Sequence, residues 1–208
     1  MILIGQFDSP FVRRVGVALR LYGLEFEHRP WSVFGDGERI AAFNPLRRVP
    51  TLVCDDGVAI GESAAIIDHL DDLVGRDRAL FPASGSARRD ALRITAMACG
   101  LGDKAVSLFY EQRLHDQTSD VWVERCRTQI GETLSVLERE RAAQASPYWG
   151  GEAMGHADIA TACVFRFVMD VHGGVVDLDA FPALTGLWRT MEAIPAFQEI
   201  QQAFNPPA

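Results

Sequence analysis

The sequence predicts two domains of different grammar: an α/β domain with a mixed four-stranded sheet, then an all-α domain. Three observations predict it. Strand-like and helix-like patterns alternate through the first eighty residues; Phe81-Pro82-Ala83-Ser84-Gly85-Ser86 interrupts both; from residue 87 onward only helical periodicity is present. The expected division is residues 1–79, a linker over 80–87, and a helical domain over 88–208.

Each element follows from local pattern. Residues 2–5 (ILIG) form a short apolar run that fits a buried strand. Residues 10–22 place Val12, Val15, Leu19 and Tyr22 on one helical face, with Arg13, Arg14 and Arg20 largely off it, and Gly23 supplies a stop. Residues 25–29 alternate as a half-buried strand that Pro30 ends. A short helix around residues 37–43 leads to Asn44-Pro45. The stretch VPTLVCDDGVAIGES then reads as two strands about the turn Asp56-Gly57. Ser63–Val74 carries Ile66, Ile67, Leu70, Leu73 and Val74 at helical spacing before Gly75. A β-α-β opening implies parallel pairing and a hairpin antiparallel pairing, so the sheet is mixed and covered by helices.

In the second domain, residues 87–114 and 119–143 read as long helices separated by HDQTS. Residues 155 to about 171 are apolar nearly all round and belong at the centre of a helical core, with Asp170 the partner of Arg166 one turn away. Shorter helices follow Phe181-Pro182 and Ile194-Pro195.

Bulk properties exclude several functions. A net charge of −8 disfavours nucleic-acid and anionic-membrane partners. The N-terminus lacks a basic signal-peptide region, and no run approaches the ~20 apolar residues of a membrane span, so a cytoplasmic protein is expected. Cys54, Cys99, Cys126 and Cys163 are far apart with no C-x-x-C and read as reduced thiols. His28, His69, His115, His156 and His172 show no i, i+4 pairing, and no metal is expected. Ser9-Pro10, between the first strand and helix, has two readings. It is a favoured helix start, with Ser as cap and Pro at the first position; it is also a hydroxyl held out to an anion at a helix N-terminus.

Four stretches in order resemble the glutathione S-transferases, over nearly the whole chain: SPFVRRV, FNPLRRVPTL, GESAAIIDHLDD, and WGGEAMGHADIATA with FPALTGLWRTMEAIPAF. The resemblance implies a thioredoxin-like N-terminal domain, an all-helical C-terminal domain, glutathione as co-substrate, a homodimer and a role in detoxification. Ser9 would then donate a hydrogen bond to the glutathione thiolate; with no cysteine in Ser9-Pro10-Phe11-Val12, disulfide exchange by the usual route is excluded. The spacing of Ser9 to Arg14-Val15 is similar to the serine-type tau and zeta classes. The zeta run Ser-Ser-Cys-Ser is absent, which counts against maleylacetoacetate isomerase.

By the same resemblance Pro50 is a cis proline that presents the main chain of Val49 to the cysteinyl backbone of glutathione, as an added strand would. Ser63 suits the γ-glutamyl carboxylate, Glu62 its ammonium group, and Arg47 or Arg48 the glycyl carboxylate. Each also has a purely structural reading: a strand-start proline, capping residues, a solvated basic loop. The second substrate, a small hydrophobic electrophile, is expected between the domains, near Trp31, Phe34, Phe109, Tyr110 and Arg113. Relatives often carry Asp-Gly where this chain has Cys99-Gly100, which puts a dimer-spanning contact to glutathione in doubt. Gly155 replaces the family's Ser or Thr helix cap, with Asp158 still three residues on and able to bond backbone N–H groups. Arg88, Arg89 and Arg93 are candidates to face Asp68, Asp71 and Asp72 of a second copy. The alternative function is a non-catalytic binding or regulatory protein on the same fold.

Overall fold

The computed structural model describes residues 1–173 and 177–206. The first unit opens with β1 (Ile2–Ile4), α1 (Pro10–Tyr22), β2 (Glu27–Arg29) and α2 (Gly37–Ala41), followed by the hairpin β3 (Thr51–Val53) and β4 (Ala59–Gly61), and α3 (Ser63–Val74). Sheet order is β2-β1-β3-β4, with β1 parallel to β2 and the other pairings antiparallel, as the mixed pattern required. Asp56 closes the hairpin turn by accepting from the Val58 amide at 3.0 Å. Val12, Val15, Leu19, Ile66, Ile67 and Leu70 are fully buried, which is why these two amphipathic helices form.

Arg13 and Arg14, read as lying largely off the apolar face, are nonetheless buried: each is only 2 % exposed. The Arg13 guanidinium donates to the carbonyls of Ile200 (2.8 Å) and Phe197 (3.1 Å) and lies 5.3 Å from the Phe197 ring centre. A buried cation needs such acceptors. Here they come from α8 (Pro195–Glu199) and the residue after it. The segment from Ala193 onward therefore groups with the first unit, Met1–Ala83, rather than with the helical domain that the sequence extends to residue 208. Asp71, expected to face a second copy, is also buried; it bonds the Tyr22 hydroxyl and accepts from the Phe81 amide at 3.0 Å. That carboxylate fastens the chain leaving α3 back onto the first unit.

The second unit, Ser84–Glu192, holds α4 (Gly85–Leu114), α5 (Asp120–Ala142), α6 (His156–His172), a 3-10 turn at Leu178–Ala180, and α7 (Pro182–Glu192). The helix α4 begins inside the stretch expected as linker. Apolar on most sides, α6 is the buried centre and packs on α4 and α7. Arg166 reaches Asp170 at 3.4 Å, as its spacing implied. With Gly155 offering no capping side chain, Asp158 starts the helix: its carboxylate accepts from the amides of Gly155 (2.9 Å) and Trp149 (2.8 Å). Burial pushes the Asp158 pKa up, against the pull of those amides. Arg93 pairs with Glu140 at 2.6 Å inside the same unit.

Candidate functional site

The register of the sheet assembles the site. Ile4 pairs with Thr51 and Thr51 with Gly61, so the end of β1, the start of β3 and the end of β4 lie in one row across the sheet. The next residues on each segment must emerge at that same end. They are the turn Gly5–Ser9 with the start of α1, Val49-Pro50, and Glu62-Ser63 with the start of α3. Three stretches remote in sequence thus meet at one edge. Gly5 makes the approach possible: a Cβ there would lie 2.5 Å from Val12 and 2.8 Å from Val49, and its φ of 129° suits glycine alone. The absent side chain lets α1 and the Val49 turn close on each other.

Ser9 is the N-cap of α1, with φ −69° and ψ 125° and Pro10 in the first helical position. Its Oγ accepts from the Val12 amide at 3.4 Å. The Ser9 amide donates to Gln6 at 3.2 Å, tightening the turn. Neither α1 nor α3 has an acidic residue in its first turn, so both N-termini present positive dipole ends at this edge, that of α3 with Glu62 as its N-cap.

The Val49–Pro50 peptide bond is cis. Among the described residues, the Val49 N–H and C=O take no part in any hydrogen bond. Asn44, which the sequence placed only at the end of the short helix before Pro45, holds this turn. It is 7 % exposed and donates from Nδ2 to the Arg48 carbonyl and to Thr51 Oγ1, both at 3.1 Å. Its Oδ1 accepts from the Leu46 amide at 3.0 Å. A buried Asn beside Pro was the available signal, because burial obliges its amide to find partners.

Ser63 is buried at the first position of α3; Glu62, with φ 64°, turns the chain into that helix. Arg48 and Glu62, expected at opposite ends of a ligand, are joined at 2.8 Å. Arg47 pairs at 2.8 Å with Glu38 of α2. All four side chains are more than half exposed, so these pairs are worth at most about 1 kcal/mol and can exchange for a ligand's charges. Arg47 also lines a cleft of about 460 Å³ with Phe34 and residues 35–39.

The proposed second-substrate residues divide between the two units. Trp31 is taken up by the first unit's own core, packed on Ile4, Ile40 and Val53, with Arg29 and Arg39 over its ring. Phe34 is 50 % exposed. On α4, Phe109 and Tyr110 are half-buried with ring centres 5.8 Å apart, and Arg113 is exposed. Among the described residues no group of three His, Cys, Asp or Glu side chains converges as for a metal ion.

This sheet with its two helix starts, followed by a helical bundle, defines a two-domain transferase-type fold. Residues 3–78 match the model of the glutathione S-transferase N-terminal domain, and residues 101–195 that of the C-terminal domain. The chain is 32 % identical to an uncharacterized GST-like protein, YibF, of Escherichia coli, over 66 % of this chain and 68 % of that one. It is 26 % identical to rat maleylacetoacetate isomerase over 95 % of this chain and 90 % of the relative. Among solved structures, a glutathione S-transferase of Methylobacterium radiotolerans in complex with glutathione sulfonate superposes with a TM-score of 0.89. That pair is 26 % identical, with 100 % of this chain and 98 % of the other covered. The chain belongs to the glutathione S-transferase family, and its fold is the thioredoxin-like plus helical one that the four motifs implied.

Proposed function

We propose that the protein binds glutathione at this edge of the sheet, ionises its thiol at Ser9 and adds the thiolate to a small hydrophobic electrophile. The observation that carries the proposal is the coincidence of the Ser9 cap, the unengaged Val49 main chain and the Glu62-Ser63 helix start at one row of the sheet. A hydroxyl has one proton and two lone pairs. Capping uses a lone pair, for the Val12 amide, and leaves the proton for a thiolate. The N-terminus of α1 adds positive potential at the same place.

A thiol of pKa about 8.5 is only a few per cent ionised at pH 7; lowering it by about two units makes roughly three quarters of it nucleophilic. The thiol proton leaves to solvent, and the sulfur lone pair forms the bond to the electrophile's carbon. Either a π bond there opens and its electrons take a proton from water, or a leaving group such as chloride departs with its bonding electrons. In this reading the Val49 amide and carbonyl pair with the cysteinyl main chain, Ser63 and the start of α3 receive the γ-glutamyl carboxylate, and Glu62 takes the ammonium. Arg47 or Arg48 takes the glycyl carboxylate after exchanging its present acid. The solved relative from Pseudomonas fluorescens with bound glutathione, 27 % identical at a TM-score of 0.81, supports the choice of ligand. The protein is proposed to act as a cytoplasmic homodimer, which sedimentation of the purified chain tests.

The first test is calorimetric titration with reduced glutathione, then the ultraviolet absorbance of bound thiolate against pH. Binding with a thiol pKa well below that of free glutathione supports the transferase. Binding without ionisation identifies a non-catalytic glutathione-binding protein, and no binding at millimolar ligand overturns the proposal. The near full-length match to a maleylacetoacetate isomerase favours one rival reading, glutathione-dependent isomerisation. Turnover that leaves glutathione unconsumed would select it.

A further inference from the structure

We propose that residues 194–205 act as a strap that sets the position of the Ser9 turn, with Gln202 and the Asn205 amide as its contacts at the turn and Arg13 as its anchor. The inference rests on the transferase reading for its functional consequence and on geometry for the rest. The turn between β1 and α1 belongs to neither strand nor helix, and the tail reaches two consecutive residues of it. The Phe7 amide donates to Gln202 Oε1 at 3.1 Å, and Asp8 Oδ2 accepts from the Asn205 amide at 3.1 Å. Ser9 is the next residue.

On the other side of the turn, the Phe7 ring stacks on His28 at a centroid distance of 3.8 Å, with His28 Nε2 bonded to the Gly5 carbonyl at 2.8 Å. Phe7 is thus gripped from two sides, by β2 and by the tail. The anchor lies one helical turn further on. Arg13 donates its amide to the Ser9 carbonyl at 2.9 Å, the first hydrogen bond of α1, while its guanidinium holds the carbonyls of Phe197 and Ile200. One residue therefore ties the start of the helix under Ser9 to the strap. The fit at Gly16 is close: a Cβ there would stand 2.8 Å from Ile200, so the tail lies directly on the helix backbone. A hydrogen bond to a thiolate weakens steeply outside its narrow range of distance and angle. Small displacements of the turn consequently change the ionisation that Ser9 supports.

The test compares Gln202→Met, which keeps length and loses the acceptor, with Asp8→Ala, Asp8→Asn and, as control, Glu199→Ala. Asp8→Asn retains a side-chain oxygen for the Asn205 amide. The Glu199 side chain pairs with Arg20 in the last turn of α1, at 3.3 Å. For each, the glutathione thiol pKa is read from thiolate absorbance and the rate with an activated aryl chloride is followed against pH. Amide hydrogen exchange of Phe7 is measured on the same proteins without ligand.

A strap predicts a thiol pKa about half a unit higher in Gln202→Met and Asp8→Ala, hence roughly threefold slower turnover below that pKa and little change well above it. Phe7 exchange quickens in Gln202→Met; Asp8→Asn and Glu199→Ala stay near the parent. A tail that merely stabilises the fold would lower the melting temperature without moving the pH profile, and that result overturns the proposal. If the parent does not lower the thiol pKa, the transferase reading fails separately. Phe7 exchange then decides: quickened exchange in Gln202→Met keeps the strap, and unchanged exchange removes it.

Discussion

Replacing Asn44 tests whether the site depends on the turn that carries Val49. The Asn44→Ala substitution removes two donated hydrogen bonds, to the Arg48 carbonyl and Thr51 Oγ1, and one accepted from the Leu46 amide. At about 1 kcal/mol net per bond the loss is ~3 kcal/mol. Thr51 Oγ1 retains its own bond to the Arg48 carbonyl at 3.0 Å, which limits the damage to ~2–3 kcal/mol. Asn44→Asp is informative because it keeps the acceptor for Leu46 while turning a carboxylate toward the Arg48 carbonyl, where a donor had been. We expect it to be at least as destabilising as the alanine. Urea unfolding gives the stability; calorimetric titration with glutathione, done where both variants are fully folded, gives the binding. Released from Asn44, residues 46–49 lose the geometry that presents the Val49 main chain, so glutathione affinity falls about tenfold or more. Wild-type affinity in a variant destabilised by ~2 kcal/mol would refute the reasoning, because the turn would then be dispensable for binding.

Other predictions follow from single contacts. Ser9→Ala loses the cap, about 1 kcal/mol by thermal melting, and raises the bound thiol pKa so that turnover at pH 7 falls ~20-fold, whereas Ser9→Asp keeps the cap and still loses the rate. Glu138 accepts from the amides of Ala183 (2.8 Å) and Leu184 (2.9 Å) at the start of α7, so Glu138→Ala costs ~1.5–3 kcal/mol in a urea melt. His172 is buried against the Ala105 carbonyl at 3.0 Å; burial lowers its pKa, with the Arg127 charge acting the same way against the pull of that bond. The unfolded chain then binds the proton more readily, so stability falls as pH drops below about 6.5; His172→Gln flattens that part of a stability-against-pH curve.

How much was legible in the sequence depended on the range of the interaction. Elements made by local pattern were readable: the two strands about Asp56-Gly57, α3 between Ser63 and Gly75, and α6 with its Arg166–Asp170 pair. The family motifs put the candidate site residues at strand ends and helix starts, segments that the sheet register brings to one edge. What escaped depends on distant main chain. Arg13 and Arg14 look like surface residues on a helical wheel, and nothing near them announces that Arg13 finds carbonyls at Phe197 and Ile200. Asp71 was misplaced for the same reason: its partners are the Tyr22 hydroxyl and the Phe81 amide, on segments far off in the chain or past a turn. Charge predicts exposure only until a fold supplies enough fixed dipoles to replace water.

Those fixed dipoles also bear on how an acidic protein would hold an anionic peptide. Glutathione carries two carboxylates against one ammonium, and the chain's net charge of −8 opposes it at long range. Within a Debye length of about 8 Å, local groups outweigh the distant total. At the ligand edge these are the dipole ends of α1 and α3, neither with an acid in its first turn, together with Arg47 and Arg48. Glu62 is the exception, and it is paired with Arg48 at 2.8 Å. A peptide that brings its own ammonium to Glu62 and a carboxylate to Arg48 replaces one exposed ion pair with two, at little cost for breaking the first. In the proposed binding mode the Arg48–Glu62 pair would stand in for the ligand's two ends. Such a pair would keep separate positive and negative groups satisfied before a ligand binds, while the start of α1, with no acid in its first turn, would keep the local field favourable to a thiolate.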